Sequence, residues 1–452
     1  MHMRITLTRP QYYTHLITPP LGIGYISAYV RRAGIECRIV DGLNLGLGAS
    51  ALADACAEAD LVGISCLSDY FLDTIELAHA LKARGKVVVV GGPHASALPE
   101  QTLRETGADF VAIGEAEQTM LELATYVDGG SKGKLPAGAM AAGRSEFQPR
   151  PLIADLDSLP FPDWEQMDPR TYKRAPHGGL IKRFPVAPIT STRGCPFDCR
   201  FCASPKLWGR RIRFRSPTNV VDEIEWLVKD FGVREIHFED DNLTLRAEHA
   251  EGVCREIMHR GLDISWAAPN GIRADAVSPE LLRLMRKSGC YYLAFGIESS
   301  SPEILERINK HTDLAKIEQA VRWASAAGIM TQGFFIFGLP GETRETIEQT
   351  IRFAKRLPLD RGQFLLLDVL PGSALWDELK DEVEVDWASR SYQQVKWVPD
   401  TVDEATLRAA PARAFREFFF RPRQLLKLLR FVRPSQIPFI IQRIRDFGMF
   451  KR

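Results

Sequence analysis

The sequence predicts an α/β chain with two domains built from βα repeats and a helical C-terminal extension. Three observations predict it. Short apolar strands alternate with helix-period stretches closed by glycine, first over residues 1–127 and again over 186–380. The run Val87-Val88-Val89-Val90 is wholly β-branched, as suits a parallel strand covered on both faces. In the second stretch, helices open on Ser-Pro, an N-cap followed by proline at the first helical position.

The elements follow in order. Residues 4–7 predict a strand and 22–33 a helix closed by Gly34; residues 37–40, 61–65, 87–90 and 110–113 predict four more strands. Each βα step is short enough for a right-handed parallel crossover, giving a doubly wound sheet over 1–127. Residues 128–185 are rich in Gly, Pro and Asp, including Leu159-Pro160-Phe161-Pro162-Asp163-Trp164, and predict an ordered linker. Six strands then follow at 188–191, 235–239, 264–268, 291–297, 333–337 and 364–369. Ser216-Pro217, Ser278-Pro279 and Ser301-Pro302 cap helices between them. Six such strands suit a partial (β/α)6 TIM-type barrel with chemistry at the C-terminal strand ends. Residues 381–452 form the extension. From residue 403 it holds twelve Arg/Lys against four Asp/Glu, and Pro411, Pro422, Pro434 and Pro438 should break it into short helices. It predicts a cover over the barrel mouth in preference to a helix on a membrane surface.

Composition narrows the class. A formal charge of +1 points to no nucleic-acid partner. Eight unevenly spaced cysteines do not make a disulfide framework, so reduced thiols and a cytoplasmic setting are expected. No secretory signal and no bilayer-spanning run are visible.

Chemistry concentrates after the first barrel strand, in Cys195-Pro-Phe-Asp-Cys199-Arg-Phe-Cys202, opened by Gly194. Three thiolates on one tight loop can take three irons of a [4Fe–4S] cubane and leave the fourth open. A zinc knuckle would want four ligands in two pairs. Cys254 and Cys290 stand alone and predict core thiols.

This spacing, with the aromatic Phe201 before the last cysteine, resembles the radical S-adenosylmethionine (SAM) superfamily. The resemblance implies Cys195, Cys199 and Cys202 as the catalytic, metal-ligating residues, with SAM chelated at the open iron. It places Glu239, Asp240 and Asp241, after the second barrel strand, near the SAM ammonium, and Arg273 near its carboxylate. Glu298 and Ser299 match the ribose and carboxylate contact. Gly338, in Gly338-Leu339-Pro340-Gly341-Glu342, matches a backbone approach to adenosine, and Pro371 the adenine edge.

In the first domain, Gly22, Ile26, Val30 and Gly34 share a helix face. Ser65-Cys66-Leu67, Gly91-Gly92-Pro93-His94 and Gly114-Glu115-Ala116-Glu117 follow at successive strand ends. This order resembles the Rossmann-like B12-binding domain of one class of radical SAM enzymes, a likeness spanning roughly residues 1–380. It implies cobalamin contacts from Gly22, Ser65, Leu67, Gly91, Gly92, His94, Gly114 and Glu115. The pattern departs from the cobalt-ligating Asp-x-His-x-x-Gly, because Ile17 and Pro19 stand where Asp and His would be. A cobalt without an imidazole ligand is expected, with His15 a surface-loop residue and His94 a loop cap. A methylthiotransferase-like second cluster on Cys37, Cys56 and Cys66 is disfavoured, since these fall in a strand, a helix and the Ser-x-Leu.

The resemblance implies a cobalamin-dependent C-methyltransferase acting on an unactivated carbon through a 5′-deoxyadenosyl radical and methylcobalamin. Oxidative cyclisation, ring rearrangement, a vestigial B12 domain and a sensor without turnover stay open beside it. Implied partners are a small-molecule or natural-product substrate and an electron donor such as flavodoxin or ferredoxin. Residues 210–215, Arg-Arg-Ile-Arg-Phe-Arg, are either a docking patch for that donor or a solvated loop.

Overall fold

The computed structural model describes residues 3–14, 17–144, 146–173, 181–383, 385–387, 394–422, 424 and 427. The first sheet is formed by β1 (Arg4–Arg9), β2 (Glu36–Asp41), β3 (Leu61–Ser65), β4 (Val87–Gly91), β5 (Phe110–Ala112) and β6 (Ala139–Ala141). Its order is β2-β1-β3-β4-β5-β6. The first five strands are parallel and β6 is antiparallel to β5. The chain therefore switches direction between β1 and β3, where doubly wound sheets bind ligands beyond the strand ends.

Alternation along β4 is what the β-branched run required. Val89 packs with Ile5, Leu7, Val30 and Leu123 on one face, and Val88 and Val90 pack with Phe71, Leu77 and Leu81 on the other. Strand β6 lies inside the segment expected as linker. Ala-Met-Ala carries no strand signature of its own, and pairing of Ala139 with Ala112 supplies it.

The second sheet is formed by β7 (Val186–Ile189), β10 (Glu235–Phe238), β11 (Ser265–Ile272), β12 (Cys290–Glu298), β13 (Met330–Phe337) and β14 (Arg361–Leu366). A two-stranded hairpin, β8 (Thr192–Arg193) with β9 (Arg213–Phe214), follows β7. The order is β14-β13-β12-β11-β10-β7, all parallel and open at both edges. The three Ser-Pro caps form as expected: Ser216, Ser278 and Ser301 accept from the N–H of Asn219, Leu281 and Ile304.

Residues 155–173 hold the domains together. Trp164 is wholly buried and its indole N–H donates to Glu223 at 2.9 Å. Asp163 accepts from Ser27 and Arg31, and Gln166 accepts from the Ile39 N–H. Gly24 lies so close to Met167 and Pro162 that a side chain there would collide.

The helix Glu404–Phe419 corrects two expectations. Leu407, Ala410, Ala414 and Phe418 bury against the barrel core, with Phe418 edge-on to Phe364 of β14. The helix thus covers the flank of the last barrel strand and not the mouth. Pro411 sits inside it, buried, because packing outweighs the one backbone bond it forfeits. Pro434 and Pro438 lie outside the described residues. Among the described residues no helix is long and apolar enough to cross a membrane.

Candidate active site at the cluster loop and the domain junction

The hairpin β8–β9 closes the loop that holds the three cysteines. Gly194 takes φ +99°, and a Cβ there would come within 2.6 Å of the Arg211 carbonyl, so the neck of the loop requires glycine. The loop is pinned from the barrel side. The Arg200 N–H donates to Ile308 O at 3.0 Å, its carbonyl accepts from the Leu375 N–H at 2.9 Å, and its guanidinium reaches Arg307 O and Glu378. Cys195, Cys199 and Cys202 are free thiols, partly buried. Burial pushes all three up, Cys202 to about 11, so bound metal must displace their protons. Among the described residues, no three His, Cys, Asp or Glu converge on a single ion. A cubane asks instead for one thiolate on each of three irons, and this loop fits that donor set.

Above the loop, the barrel strand ends bring several expected residues together and redirect others. Glu298 takes φ +64° and its carboxylate accepts from Lys310 Nζ at 2.8 Å. A Cβ on Gly296 would meet Glu298 Oε1 at 2.6 Å and Lys310 Nζ at 2.9 Å, so glycine there makes room for the pair. Lys310 also stands over the Phe201 ring at 5.9 Å. It was absent from the sequence candidates. Its signal was a lone cation in Asn309-Lys310-His311, a polar turn after a barrel helix, which says nothing of where the side chain points.

Asp241 is exposed and accepts from Ser204 Oγ at 2.7 Å, close beside Cys202 in the chain. Glu239 accepts from Asn270 Nδ2 at 2.8 Å across the strand ends. Asp240 is placed differently from the expectation. It is buried behind the hairpin, where one oxygen accepts from the Ser191 N–H, Ser191 Oγ and Thr192 Oγ1. Burial pushes its carboxyl up to about 6 despite those donors. Arg273 also departs from expectation. Its donors go to Asp275, Lys310 O and His311 O, and Phe197 stacks on it at 3.7 Å, so four of its five N–H groups are taken up by the protein. Ser299 is buried and accepts from the Ser301 N–H. A Cβ on Gly338, at φ +86°, would meet Leu407 of the C-terminal helix at 3.2 Å. Pro371 is buried, and the next residue, Gly372, wedges between Ala97 of the first domain and Lys206 beyond the cluster loop.

At the first domain's strand ends, small residues leave space. A Cβ on Gly22 or Gly114 would meet nothing within 4 Å, and one on Gly91 would meet only Ala112 at 3.6 Å. Ser65 is half-buried and Leu67 exposed beside them. An open cleft of about 710 Å³ lies past the ends of β1 and β2, lined by Tyr12, Tyr13, Leu43, Asn44 and Asp73. These open strand ends fit a large planar cofactor. Three expected contacts are tied into the protein's own packing. A Cβ on Gly92, at φ +99°, would lie 2.7 Å from Cys66 O, so the close approach of the β4 end to the β3 end requires glycine here. His94 is buried against Phe71 and Trp387, with Nδ1 3.0 Å from Ser68 Oγ. Glu115 gives both oxygens to Arg213 and also accepts from Arg193 and the Ile153 N–H. Burial alone would push its carboxyl up, but these arginines hold it below the usual range. Ile17 is buried with Leu43 and Tyr172, and His15 lies outside the described residues. The basic run 210–215 splits: Arg213 and Arg215 are buried in ion pairs with Glu115 and Glu223, while Arg210 and Arg211 are exposed.

Comparison with known proteins identifies the family. The radical SAM superfamily model matches residues 189–354, and the B12 binding domain model matches residues 14–124. An uncharacterized methyltransferase of Pyrococcus horikoshii is 36% identical over 370 residues, 79% of this chain and 78% of the relative. An anaerobic magnesium-protoporphyrin IX monomethyl ester cyclase of Rubrivivax gelatinosus is 30% identical over 441 residues, 92% of this chain and 77% of the relative. A radical SAM methyltransferase from Kitasatospora setae, solved with tryptophan and a SAM analogue, superposes with a TM-score of 0.72 at 19% identity. The match covers 96% of this chain and 89% of that one and shows the shared fold. Likeness to these two curated relatives over 79% and 92% of the chain, with both family models matched, makes this protein a member of the radical SAM superfamily that carries an N-terminal B12-binding domain.

Proposed function

We propose that the protein is a cobalamin-dependent radical SAM C-methyltransferase acting on an unactivated carbon of a small molecule. When bound, the cluster supplies the electron that cleaves SAM, and cobalamin supplies a carrier for methyl. Cys195, Cys199 and Cys202 would hold the cluster. Lys310, with Glu298, would orient the charged end of SAM, because its ammonium lies beside Phe201 and the loop. Asp241 and Glu239 would offer acceptors to the SAM ammonium. Gly22, Ser65, Leu67, Gly91 and Gly114 would border the corrin and its tail. The observation that carries the reading is the junction near Gly372, where Ala97 of the first domain and Lys206, just past the cluster loop, lie 3.3 and 3.4 Å from a Cβ built on that glycine. A substrate bound beside this junction would reach both reactive groups, as near-attack geometry requires. Exposed Arg210 and Arg211 beside the loop suit an acidic electron donor such as flavodoxin or ferredoxin. Reduced thiols suit a cytoplasmic setting.

A second reading, oxidative cyclisation of a tetrapyrrole-like substrate, draws support from the cyclase relative, which matches 92% of this chain. Turnover with methyl-labelled SAM separates the two. A methyltransferase should give one 5′-deoxyadenosine and one S-adenosylhomocysteine per labelled product. Deoxyadenosine accumulating with substrate while label never enters product would overturn the methyltransferase reading in favour of the cyclase.

A further inference from the structure

Two arginines flank the neck of the cluster loop, and both leave the barrel to reach the first domain. Arg193 ends β8, just before Gly194 and Cys195; Arg213 opens β9 on the returning arm. Arg193 donates to Glu115 Oε1 at 2.8 Å and to Glu117 Oε1 at 2.7 Å. Arg213 Nη1 reaches Glu115 at 2.9 and 2.8 Å, and Ile153 O at 2.7 Å. Side-chain exposure is 7% for Arg193, 6% for Arg213, 2% for Glu115 and 5% for Glu117, so water does not loosen these bonds. The Arg193 guanidinium also stacks between Tyr25, on the helix Leu21–Arg32, and Trp208, which follows Cys202. Two positive and two negative charges close on each other; Glu115 comes from the loop after β5, beside Gly114, and Glu117 opens the helix that follows, Glu117–Asp128.

From this clamp we infer that Glu115 is a positioning residue: held by Arg193 and Arg213, it fixes the distance between the cluster loop and the cofactor face of the first domain. The inference rests on the cobalamin reading above. Buried ion pairs are a poor source of net stability, and an apolar junction would hold two domains equally well. An apolar junction can slide, whereas the forked, multiply bonded guanidinium fixes direction and register. Radical chemistry between two cofactors is where such register matters, since small displacements from the near-attack arrangement cost rate steeply.

The test uses the full chain, anaerobically loaded with iron, sulfide and hydroxocobalamin, and pulsed electron paramagnetic resonance between reduced cluster and Co(II). The native protein should give one narrow distance distribution. Glu115→Gln, which keeps shape but removes charge, should broaden or shift it while iron and cobalamin content hold. Arg193→Lys, which keeps charge but removes the fork, should do the same and stands in if Glu115→Gln does not fold. An unchanged narrow distribution in the folded variant would overturn the clamp. Native protein that takes up iron but no cobalamin would instead sink the reading of the first domain. The clamp is then read as the distance from the cluster to a gadolinium tag attached at exposed Leu72, with the same two outcomes.

Discussion

Charged side chains that have left water set the character of the site at the scale of single residues. Glu342 is 1% exposed, and burial pushes its carboxyl up to about 7, although Thr346 Oγ1 and the N–H groups of Gly338 and Leu339 offset part of the cost. A folded-state value above the unfolded one means that the folded protein holds the extra proton. Stability from this group is therefore full below about pH 4.5 and declines as pH rises toward 7, by on the order of 3 kcal/mol. Glu342→Gln should raise the urea midpoint at pH 8 and leave it nearly unchanged at pH 4; equal shifts at both would refute the ionisation argument. Lys310 poses the opposite case, since its partner Glu298 is also buried. Lys310→Met should cost about 3–5 kcal/mol by stranding that carboxylate, and adding Glu298→Leu should recover much of it. A double variant no better than the single, measured by denaturant titration, would contradict this. The three cysteines were legible because their whole signal is local. Lys310, Arg193 and Arg213 were not, since each draws its meaning from a partner on a distant loop. Arg273 misled for the same reason: its charge was visible, but the two carbonyls and Phe197 that occupy it were not.

Periodicity carried most of the prediction at the scale of elements. Every strand with a bulky apolar run was found, and the three Ser-Pro caps formed. Strand β6 and the hairpin β8–β9 were missed because they are two or three residues long and exist only by pairing. Ser216→Ala should cost about 1 kcal/mol through the lost cap on the Asn219 N–H. Gly92 gives a sharper test. Its left-handed φ and its contact with the Cys66 backbone leave no space for a side chain. Gly92→Ala should destabilise the first domain by roughly 2 kcal/mol and lower cobalamin uptake only as folding is lost. Undiminished stability with abolished cobalamin binding would mean that this glycine faces the cofactor after all.

The whole molecule is a pair of sheets, parallel except for the edge strand β6, joined by residues 155–173 and by the Arg–Glu clamp. Fold class was legible from the repeat of βα units. How the sheets face each other was not, because interdomain contacts leave no periodic trace in either partner. The C-terminal extension shows the limit well. Its composition suggested a cover over the mouth, and the packing of Leu407 and Phe418 shows that its described helix, Glu404–Phe419, lies on the outside of the barrel. Release of 5′-deoxyadenosine from SAM under reducing, anaerobic conditions most directly tests whether Cys195, Cys199 and Cys202 hold a cluster. The native protein should release it, and the variant with Cys195, Cys199 and Cys202 all changed to Ala should release none. Deoxyadenosine from the triple variant at the native rate would contradict the assignment.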